Sequence, residues 1–513
     1  MYLIYTGSKD TYITNKIIDG AFTASDANVG RAGTVDIFKL YNETLLGQQT
    51  GSAEISRGLI KFDFNPIRAL TGSVIDINDS SFKVKMKMHN LLGGTAVPSN
   101  FTLVVAPLSK SFDEGFGRDL VAFSDLDSAN FLTASVTNGS PSVWFVSGAN
   151  KGGLLDSDNI DYITSGTIDS SLTSLVAEQT FVKGTEDLFV DITTIVSATL
   201  DGKVPDCGFR LAFTGSEEDD AKSRFVKRFA SLQSSNALKK PAIHVIYDDS
   251  KIDATRDFVF DVSGSLFLNN FVRGSRQNFL SGAAATQVTG DDCMLLRLES
   301  DDYSRTYSVS QVKRGTDQTA ITGLYSSSLA VSISDQKVVN SANEKILNFV
   351  NTSGSMTFKA IWCSSDESVG YHTGSLVVNR SNSSHYNATP ANLIVKAVTL
   401  PSRMQKDEVL KIQFYVTDRN APDKVYKVPY RTKSAILQSA YYQIRDQDSG
   451  LVVVPFETDN NGTRLSSDSE GIYFNLRTAV LPKGRSYVID LLIKDFGQDQ
   501  IFLNVGQGFR VEQ

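Results

Sequence analysis

Paired carboxylates are the residues of this chain whose spacing could do chemistry. Enzymes that cleave glycans on β-rich folds need two acids about 5–9 Å apart, one to protonate the leaving group and one to act as base or nucleophile. Four groups of acids are close together in the sequence: Asp113 with Glu114; Glu217, Glu218, Asp219 and Asp220; Asp366 with Glu367; and Asp468 with Glu470. Because clustered acids in loops are usually solvated surface, the sequence predicts that none of them is catalytic.

The acidic segment 217–220 allows a second interpretation. It follows a predicted strand at 209–214, and its carboxylate and carbonyl oxygens are the ligands that Ca²⁺ prefers. The segment lacks the alternating spacing of an EF-hand loop, so structural calcium is the alternative and no cofactor is the main prediction. A solvated acidic loop contributes little to folding, and its joint replacement by Ser or Asn is expected to be tolerated.

Other catalytic and metal-binding patterns are missing. No pair of histidines has the spacing of a metal site, no serine lies in a G-x-S-x-G turn, and no two cysteines form a C-x-x-C clamp. The residues considered are His89, His244, His372, His385, Cys207, Cys293 and Cys363. We therefore expect a protein that is not an enzyme, with no catalytic, cofactor or metal residue and with free thiols made in a reducing cytosol.

Aromatic residues offer one ligand candidate. Trp144 lies in a long loop region and could present its ring to a sugar, whereas Trp362 lies in a predicted strand and is expected in the core. The segment 224–229 interleaves aromatic and basic residues, as single-stranded nucleic-acid binders do. Its alternation places Phe225 and Phe229 on one strand face, so we interpret it as an ordinary half-exposed strand.

The elements that must position these residues are almost all strands. Runs of alternating and β-branched residues recur with turn residues every ten or so positions, which predicts an all-β chain of serial β-sandwiches. We expect a large jelly-roll-like N-terminal sandwich followed by two smaller Ig-like sandwiches, with domains 1–250, 251–380 and 381–513. The predicted strands are 55–64, 81–88, 101–108, 209–214, 243–247, 356–362, 409–417, 441–444 and 487–493.

A single short helix is predicted, with Asp191 as its N-cap and Gly202 as its end. Polar segments at 248–253 and 379–386 mark the two domain boundaries. Long loops are expected between Phe112 and Phe181, where a Gly-rich stretch separates two faint strand patterns.

Charge and hydropathy exclude several classes of partner. The 513 residues carry a formal net charge of −7, without the basic bias of a nucleic-acid or anionic-membrane binder. The longest apolar stretches have the length of strands, and the amino terminus has neither the basic region nor the apolar run of a signal peptide. We expect no nucleic acid and no membrane as partner.

Six short phrases in the first 250 residues resemble a DNRLRE-type (disaggregatase-related) β-sandwich domain, in the order of that family. They are DTYI at 10–13, NVG at 28–30, RGLIKFD at 57–63, DIT at 191–193, GFRL at 208–211 and KPAIHVIY at 240–247. Thr199 replaces the aromatic usual near the end of the DIT helix, and the loop insertions are long. The resemblance implies that Asp63 and Asp191 are structural, each accepting N–H bonds where a strand ends or a helix begins.

Phrases in the second half are similar to those of virion structural proteins of large tailed bacteriophages. They are GLYSSSLAVS at 323–332, IWCSSD at 361–366, YHTGS at 371–375, AYYQI at 440–444, LSSD at 465–468 and GIYF at 471–474. The resemblance implies a non-enzymatic structural component of a phage particle, at the collar, neck, baseplate or capsid surface. It would be made in the bacterial cytoplasm, reside in the virion, and bind other virion proteins and copies of itself. A carbohydrate-binding adhesin or tail-fibre module that binds a host glycan is the alternative.

Overall fold

The structure is a computed structural model of the 513-residue chain. It describes residues 1–43, 52–71, 74–93, 97–123, 125–251, 258–273, 275–282, 284–313, 320–380, 392–419, 434–435, 437, 439–468, 470–494 and 499–512. Strands make up 48% of the chain and helices 7%, and the sheets are many. The prediction of an all-β chain of serial β-sandwiches is confirmed. Among the described residues no helix is long and apolar enough to span a membrane.

Two compact units make up the chain. The N-terminal unit comprises Leu3–Thr71 and Lys83–Val245; the C-terminal unit comprises Met1–Tyr2, Gly72–Phe82 and Ile246–Gln513. The predicted division into domains 1–250, 251–380 and 381–513 stays a prediction. Part of the predicted second boundary, 381–386, lies outside the described residues.

Eighteen strands lie among the described residues of the first half of the chain. They are β1 Tyr2–Thr6, β2 Lys9–Thr14, β3 Ile17–Ile18, β4 Phe22–Thr23, β5 Thr34–Tyr41, β6 Ala53–Lys61, β7 Lys83–Met88, β8 Phe101–Pro107, β9 Thr133–Thr137, β10 Ser140–Val143, β11 Gly152–Leu154, β12 Tyr162–Ile168, β13 Ser171–Ser174, β14 Ala177–Phe181, β15 Leu188–Asp191, β16 Phe209–Phe213, β17 Arg224–Ala230 and β18 Ala242–Ile246. The helices are α1 Asn65–Arg68, α2 Thr193–Leu200 and α3 Gly215–Asp219, with a 3₁₀ turn at Ala237–Lys239.

Two sheets build the N-terminal unit. One has the order β1-β18-β7-β15, and the other has the order β14-β8-β16-β6-β5-β17, with β2 paired to β6. Alternation explains the inner face of β7, where Val84, Met86 and Met88 are fully buried and the intervening lysines are not. The central strand β16 is buried along its whole length, between β6 and β8.

The long region between β8 and β14 carries its own small sheets. Strands β9 and β10 form an antiparallel pair, and β11, β12 and β13 form a three-stranded sheet. Few ladder bonds tie so long an insertion to the main sheets, and buried side chains must therefore hold it.

The predicted helix is confirmed as α2, with a correction at its start. Its N-cap position is Ile192, because Asp191 still belongs to β15. The end is as predicted, since Gly202 takes a φ of +76°, the left-handed conformation that glycine adopts readily. The strand predicted at 55–64 ends earlier, and the chain enters α1 with a proline in its first turn.

Twenty-one strands follow in the part of the C-terminal unit that the structure describes. The first group is β19 Phe258–Val259, β20 Gly264–Asn269, β21 Phe271–Val272, β22 Ser275–Arg276, β23 Leu280–Ser281, β24 Thr286–Gln287, β25 Met294–Ser300, β26 Tyr303–Lys313, β27 Ala320–Leu329, β28 Ser355–Ser364 and β29 Gly370–Asn379, with helix α4 Ile346–Ser353. Seven of them form one sheet, in the order β19-β29-β28-β25-β26-β27-β20. Its core centres on Leu296, Tyr303 and Phe358, and Trp362 packs there as expected.

The second group is β30 Leu393–Ala397, β31 Arg403–Met404, β32 Val409–Asp418, β33 Ala440–Asp446, β34 Val452–Val454, β35 Ser466–Asp468, β36 Gly471–Arg477, β37 Ser486–Ile493, β38 Gln500–Phe502 and β39 Phe509–Val511, with a 3₁₀ turn at Thr478–Val480. They form two sheets, ordered β30-β32-β36-β35 and β31-β39-β37-β33-β34, with β38 on β37. The described strands of this group share no sheet with the first group.

Replacing Phe358 by Ala should destabilise the C-terminal unit by about 3–5 kcal/mol, because the side chain is fully buried against Tyr303 and its removal leaves a cavity. Denaturant unfolding followed at Trp362 fluorescence, in a Trp144→Phe background, measures the effect. Val377→Ala on the neighbouring strand is the control, since that side chain is 41% exposed. Equal losses in both variants would contradict the described core.

Candidate functional site

The acidic segment follows the buried strand β16: Glu217, Glu218 and Asp219 lie in helix α3, and Asp220 is its C-cap residue. Its four acids have different surroundings. Glu217 accepts hydrogen bonds from the Thr102 backbone N–H at 3.2 Å and from the Thr214 hydroxyl at 3.0 Å, whereas Asp219 is exposed. The helix therefore turns its acids both inward and outward.

Glu218 is the buried member of the group. Its two carboxylate oxygens accept from Arg57 Nε at 2.9 Å and Arg57 Nη2 at 2.8 Å, and Arg210 Nη2 lies 3.4 Å away. The three side chains are only 3–6% exposed. Burial, together with the charge of Arg57, lowers the pKa of Arg210 to about 10 against the opposing effect of Glu218. One carboxylate therefore serves two buried guanidinium groups, which we call the Glu218 cluster.

The Glu218 cluster also fastens the long insertion. Arg57 Nη1 donates to the Gly148 carbonyl at 2.8 Å, and Arg210 Nη2 donates to Asn150 Oδ1 at 3.3 Å. The Arg210 guanidinium lies over the Tyr162 ring at 4.5 Å. Strands β6 and β16, helix α3 and the insertion thus meet at one carboxylate.

Asp220 is bound by two cations. Arg224 donates to both of its oxygens, at 2.8 and 2.7 Å, and Lys39 Nζ donates to Oδ1 at 2.9 Å. The Arg224 hydrogen bond and then that of Lys39 hold the pKa of this carboxyl well below its ordinary value. Lys39 is fully buried and also donates to the carbonyls of Glu217 and Asp220.

These contacts correct two expectations about 217–220. The segment is not a solvated loop, because three of its acids bond internally. The oxygens that the calcium alternative needs already accept from the Lys39 ammonium and the Arg224 guanidinium. Within the described ranges no group of three or more His, Cys, Asp or Glu could hold a metal ion.

Acids of two other pairs are engaged as well. Glu114 accepts from the Asp10 backbone N–H at 3.1 Å, Asp366 accepts from Ser368, and Glu367 pairs with Arg297 at 2.6 Å. Of the histidines, His89 lies 3.1 Å from Asp187, and burial first, then nearby lysines, lower the pKa of His244. His385 lies outside the described residues.

Trp144 is a core residue, which corrects its candidacy as an exposed sugar platform. Its ring is 3% exposed, packs with Leu108 and Phe112, and donates from Nε1 to the Asn130 carbonyl at 3.0 Å. The adjoining backbone is fixed by Asp161, fully buried, which accepts from the N–H groups of residues 145, 146 and 151 at 2.6–3.0 Å.

Asn28, from the NVG phrase, binds two loops through all four of its amide positions. Its Nδ2 donates to the carbonyls of Glu114 and Ala129, at 2.9 and 2.8 Å, and its Oδ1 accepts from the N–H groups of Gly30 and Gly117. A Cβ at Gly117 would overlap the Asn28 backbone carbonyl, so only glycine fits this close approach.

The two predicted structural acids lie at element ends. Asp63 follows β6, is exposed, and accepts from the Asn65 N–H at 3.0 Å. Asp191 closes β15 and accepts from the Thr193 N–H at 2.8 Å and the Thr193 hydroxyl at 2.5 Å. Their contribution to stability stays a prediction.

Comparisons with known proteins identify no family for this chain. No family model and no curated protein matches the chain. Among solved structures, it is similar to the Ig1-2 module of the Drosophila receptor protein tyrosine phosphatase DLAR, with 6% identity, 52% of this chain and 96% of that chain covered, and a TM-score of 0.15. It is also similar to the D00-D0 domain of intimin, with 8% identity, 51% and 99% covered, and a TM-score of 0.14. The titin domains z1z2 in complex with telethonin are a third similar structure, with 9% identity, 52% of this chain and 94% of that chain covered, and a TM-score of 0.14.

Replacing Glu218 by Gln should destabilise the N-terminal unit by about 3–5 kcal/mol, because two buried guanidinium groups lose their counter-charge. Asp219→Asn is the matched control, one residue away and exposed, with an expected change within about 0.5 kcal/mol. Denaturant unfolding followed at Trp144, in a Trp362→Phe background, reports on this unit. Similar unfolding free energies for the two variants would contradict the role of the Glu218 cluster.

The buried carboxyl of Asp10 should make the stability of the N-terminal unit depend on pH. Burial and the neighbouring Glu114 raise its pKa to about 7, against the Leu232 N–H bond and Lys240. Between the ordinary pKa of 3.8 and about 7 the unfolded chain loses the proton while the folded chain keeps it, so this group makes stability fall as pH rises. Thermal melts from pH 4.5 to 7.5 should show a shallower decline for Asp10→Asn than for wild type, and parallel curves would contradict the prediction.

Proposed function

We propose that this chain is a non-enzymatic structural component of a tailed bacteriophage particle, attached at the collar, neck, baseplate or capsid surface. The observation that carries the proposal is that its clustered and buried acids are bonded within the fold. Glu218 and Asp220 neutralise buried cations, and Glu114 and Asp161 bind backbone N–H groups. Groups committed to the fold in this way are poorly placed to exchange protons with a substrate.

Exposed apolar side chains on a fixed backbone support an assembly role. Leu132, Val143, Phe145 and Val146 are 40–55% exposed and lie on or beside the β9–β10 hairpin; we call them the hairpin apolar patch. Asp161 holds the backbone of Phe145 and Val146, and Asn130 accepts from the N–H of Leu132. Apolar groups that are ordered before binding lose less entropy at an interface.

The partners proposed are other virion proteins and copies of the chain itself, and the proposed location is the virion. The alternative, an adhesin that binds a host glycan, needs an exposed aromatic platform. Burial of Trp144 takes away the residue that favoured this alternative, so the particle component is the better-supported proposal.

Mass spectrometry of purified particles tests the proposal. The protein should be present in fixed stoichiometry with the other virion proteins, and its absence would refute the proposal. Phe145→Ser should reduce incorporation by tenfold or more, as loss of an aromatic anchor at an interface typically costs about 2 kcal/mol. Leu172→Ser is the matched control, being 73% exposed on a different small sheet, and should incorporate normally.

A further inference from the structure

Lys227 is a fully buried lysine in strand β17. Its Nζ lies between two aromatic rings, 4.8 Å from the centroid of Phe181 and 5.0 Å from that of Phe229. Both rings are fully buried. Burial lowers the pKa of Lys227 to about 8, against the opposing charges of Glu186 and Asp187.

A side-chain amide lies directly against this amine. Lys227 Nζ donates to Asn90 Oδ1 at 2.7 Å, and to the carbonyls of Gly184 and Glu186 at 2.7 Å each. Asn90 is itself fixed, because its backbone N–H donates to Asp187 Oδ1 at 2.8 Å and its backbone bridges to Phe229. The amine and the amide are therefore held in contact, because Lys227 belongs to strand β17 and the backbone of Asn90 is bonded on both sides.

The carboxylate of Glu186 acts on Lys227 through its charge. Glu186 Oε2 is buried and has no hydrogen-bond partner, while the carboxylate interacts electrostatically with Lys227. A carboxylate next to a neutral amine can take a proton from it and return that proton to a leaving group. The pair thus has a nucleophile and an electrophile in contact, and Glu186 is an acid whose charge acts on the nucleophile.

We propose that Lys227 and Asn90 form an intramolecular isopeptide bond. The neutral Nζ adds to Asn90 Cγ, the Cγ–Nδ2 bond breaks, and Nδ2 leaves as ammonia with the proton that Glu186 carries over from Nζ. The balance is one amine and one primary amide giving one secondary amide and ammonia, with no oxidant or cofactor. The product keeps one N–H on Nζ for the carbonyl of Gly184 or Glu186.

The bond would join the two sheets of the N-terminal unit. Strand β17 belongs to the larger sheet and Asn90 follows β7 in the smaller one, 137 residues apart in the chain. A covalent link across so long a segment restricts the unfolded chain and so stabilises the fold, as a disulfide does. The inference rests on the contacts of Lys227 and is independent of the proposed function.

Intact-mass spectrometry of the purified, denatured full chain tests the proposal. The mass should be lower than the sequence mass by one ammonia molecule, and tandem spectra should show a branched peptide joining residues 90 and 227. A mass equal to the sequence mass would overturn the proposal and leave Lys227 as a hydrogen-bonded ammonium.

Variants locate the bond. Lys227→Arg and Asn90→Ala should each restore the full sequence mass, and a deficit that persists in either would overturn the assignment. Lys39→Arg is the control, and the mass deficit should remain in it. Lys39 is an equally buried lysine that donates to two carbonyls and a carboxylate rather than to a side-chain amide. Glu186→Gln should slow bond formation after refolding, whereas an unchanged rate would overturn its role in moving the proton.

Discussion

The N-terminal unit depends on one buried carboxylate. Glu218 faces two guanidinium groups in a place with almost no access to water, where an uncompensated charge is costly. Because Arg57 and Arg210 also bond to Gly148 and Asn150, the interaction that neutralises the core also fixes a part of the insertion that belongs to no main sheet. The same two arginines therefore neutralise Glu218 and attach the insertion to the larger sheet.

The insertions follow a second physical rule. Irregular backbone lacks the ladder bonds of a sheet, so its N–H and C=O groups need other partners. Asn28 supplies four such bonds to two loops, and Asp161 supplies three to another. Long loops on this sandwich are consequently ordered around single buried polar side chains, and glycines such as Gly117 allow the backbone to come close enough.

Several charged side chains of the N-terminal unit are bonded inside it. Lys39 and Lys227 are fully buried and bonded to carbonyl oxygens, and Arg228 pairs with Asp36 in a two-bond contact. Exposed apolar groups such as Phe145 stand outside that network on a backbone that is already fixed. This arrangement supports the proposal that the chain binds a neighbouring protein.

Local sequence determined the class of fold and several of its elements. Alternation identified strands such as β7 and β16, because each strand buries one face or both, and Gly202 marked the end of α2 through its backbone freedom. Only the tertiary structure decided which side chains pair with each other. Arg57 and Glu218 are 161 residues apart, and nothing in the spacing of either indicates the other. The acidic segment and Trp144 were misinterpreted for the same reason: alternation and composition describe what a residue can do locally, whereas burial and pairing depend on which distant strand arrives beside it.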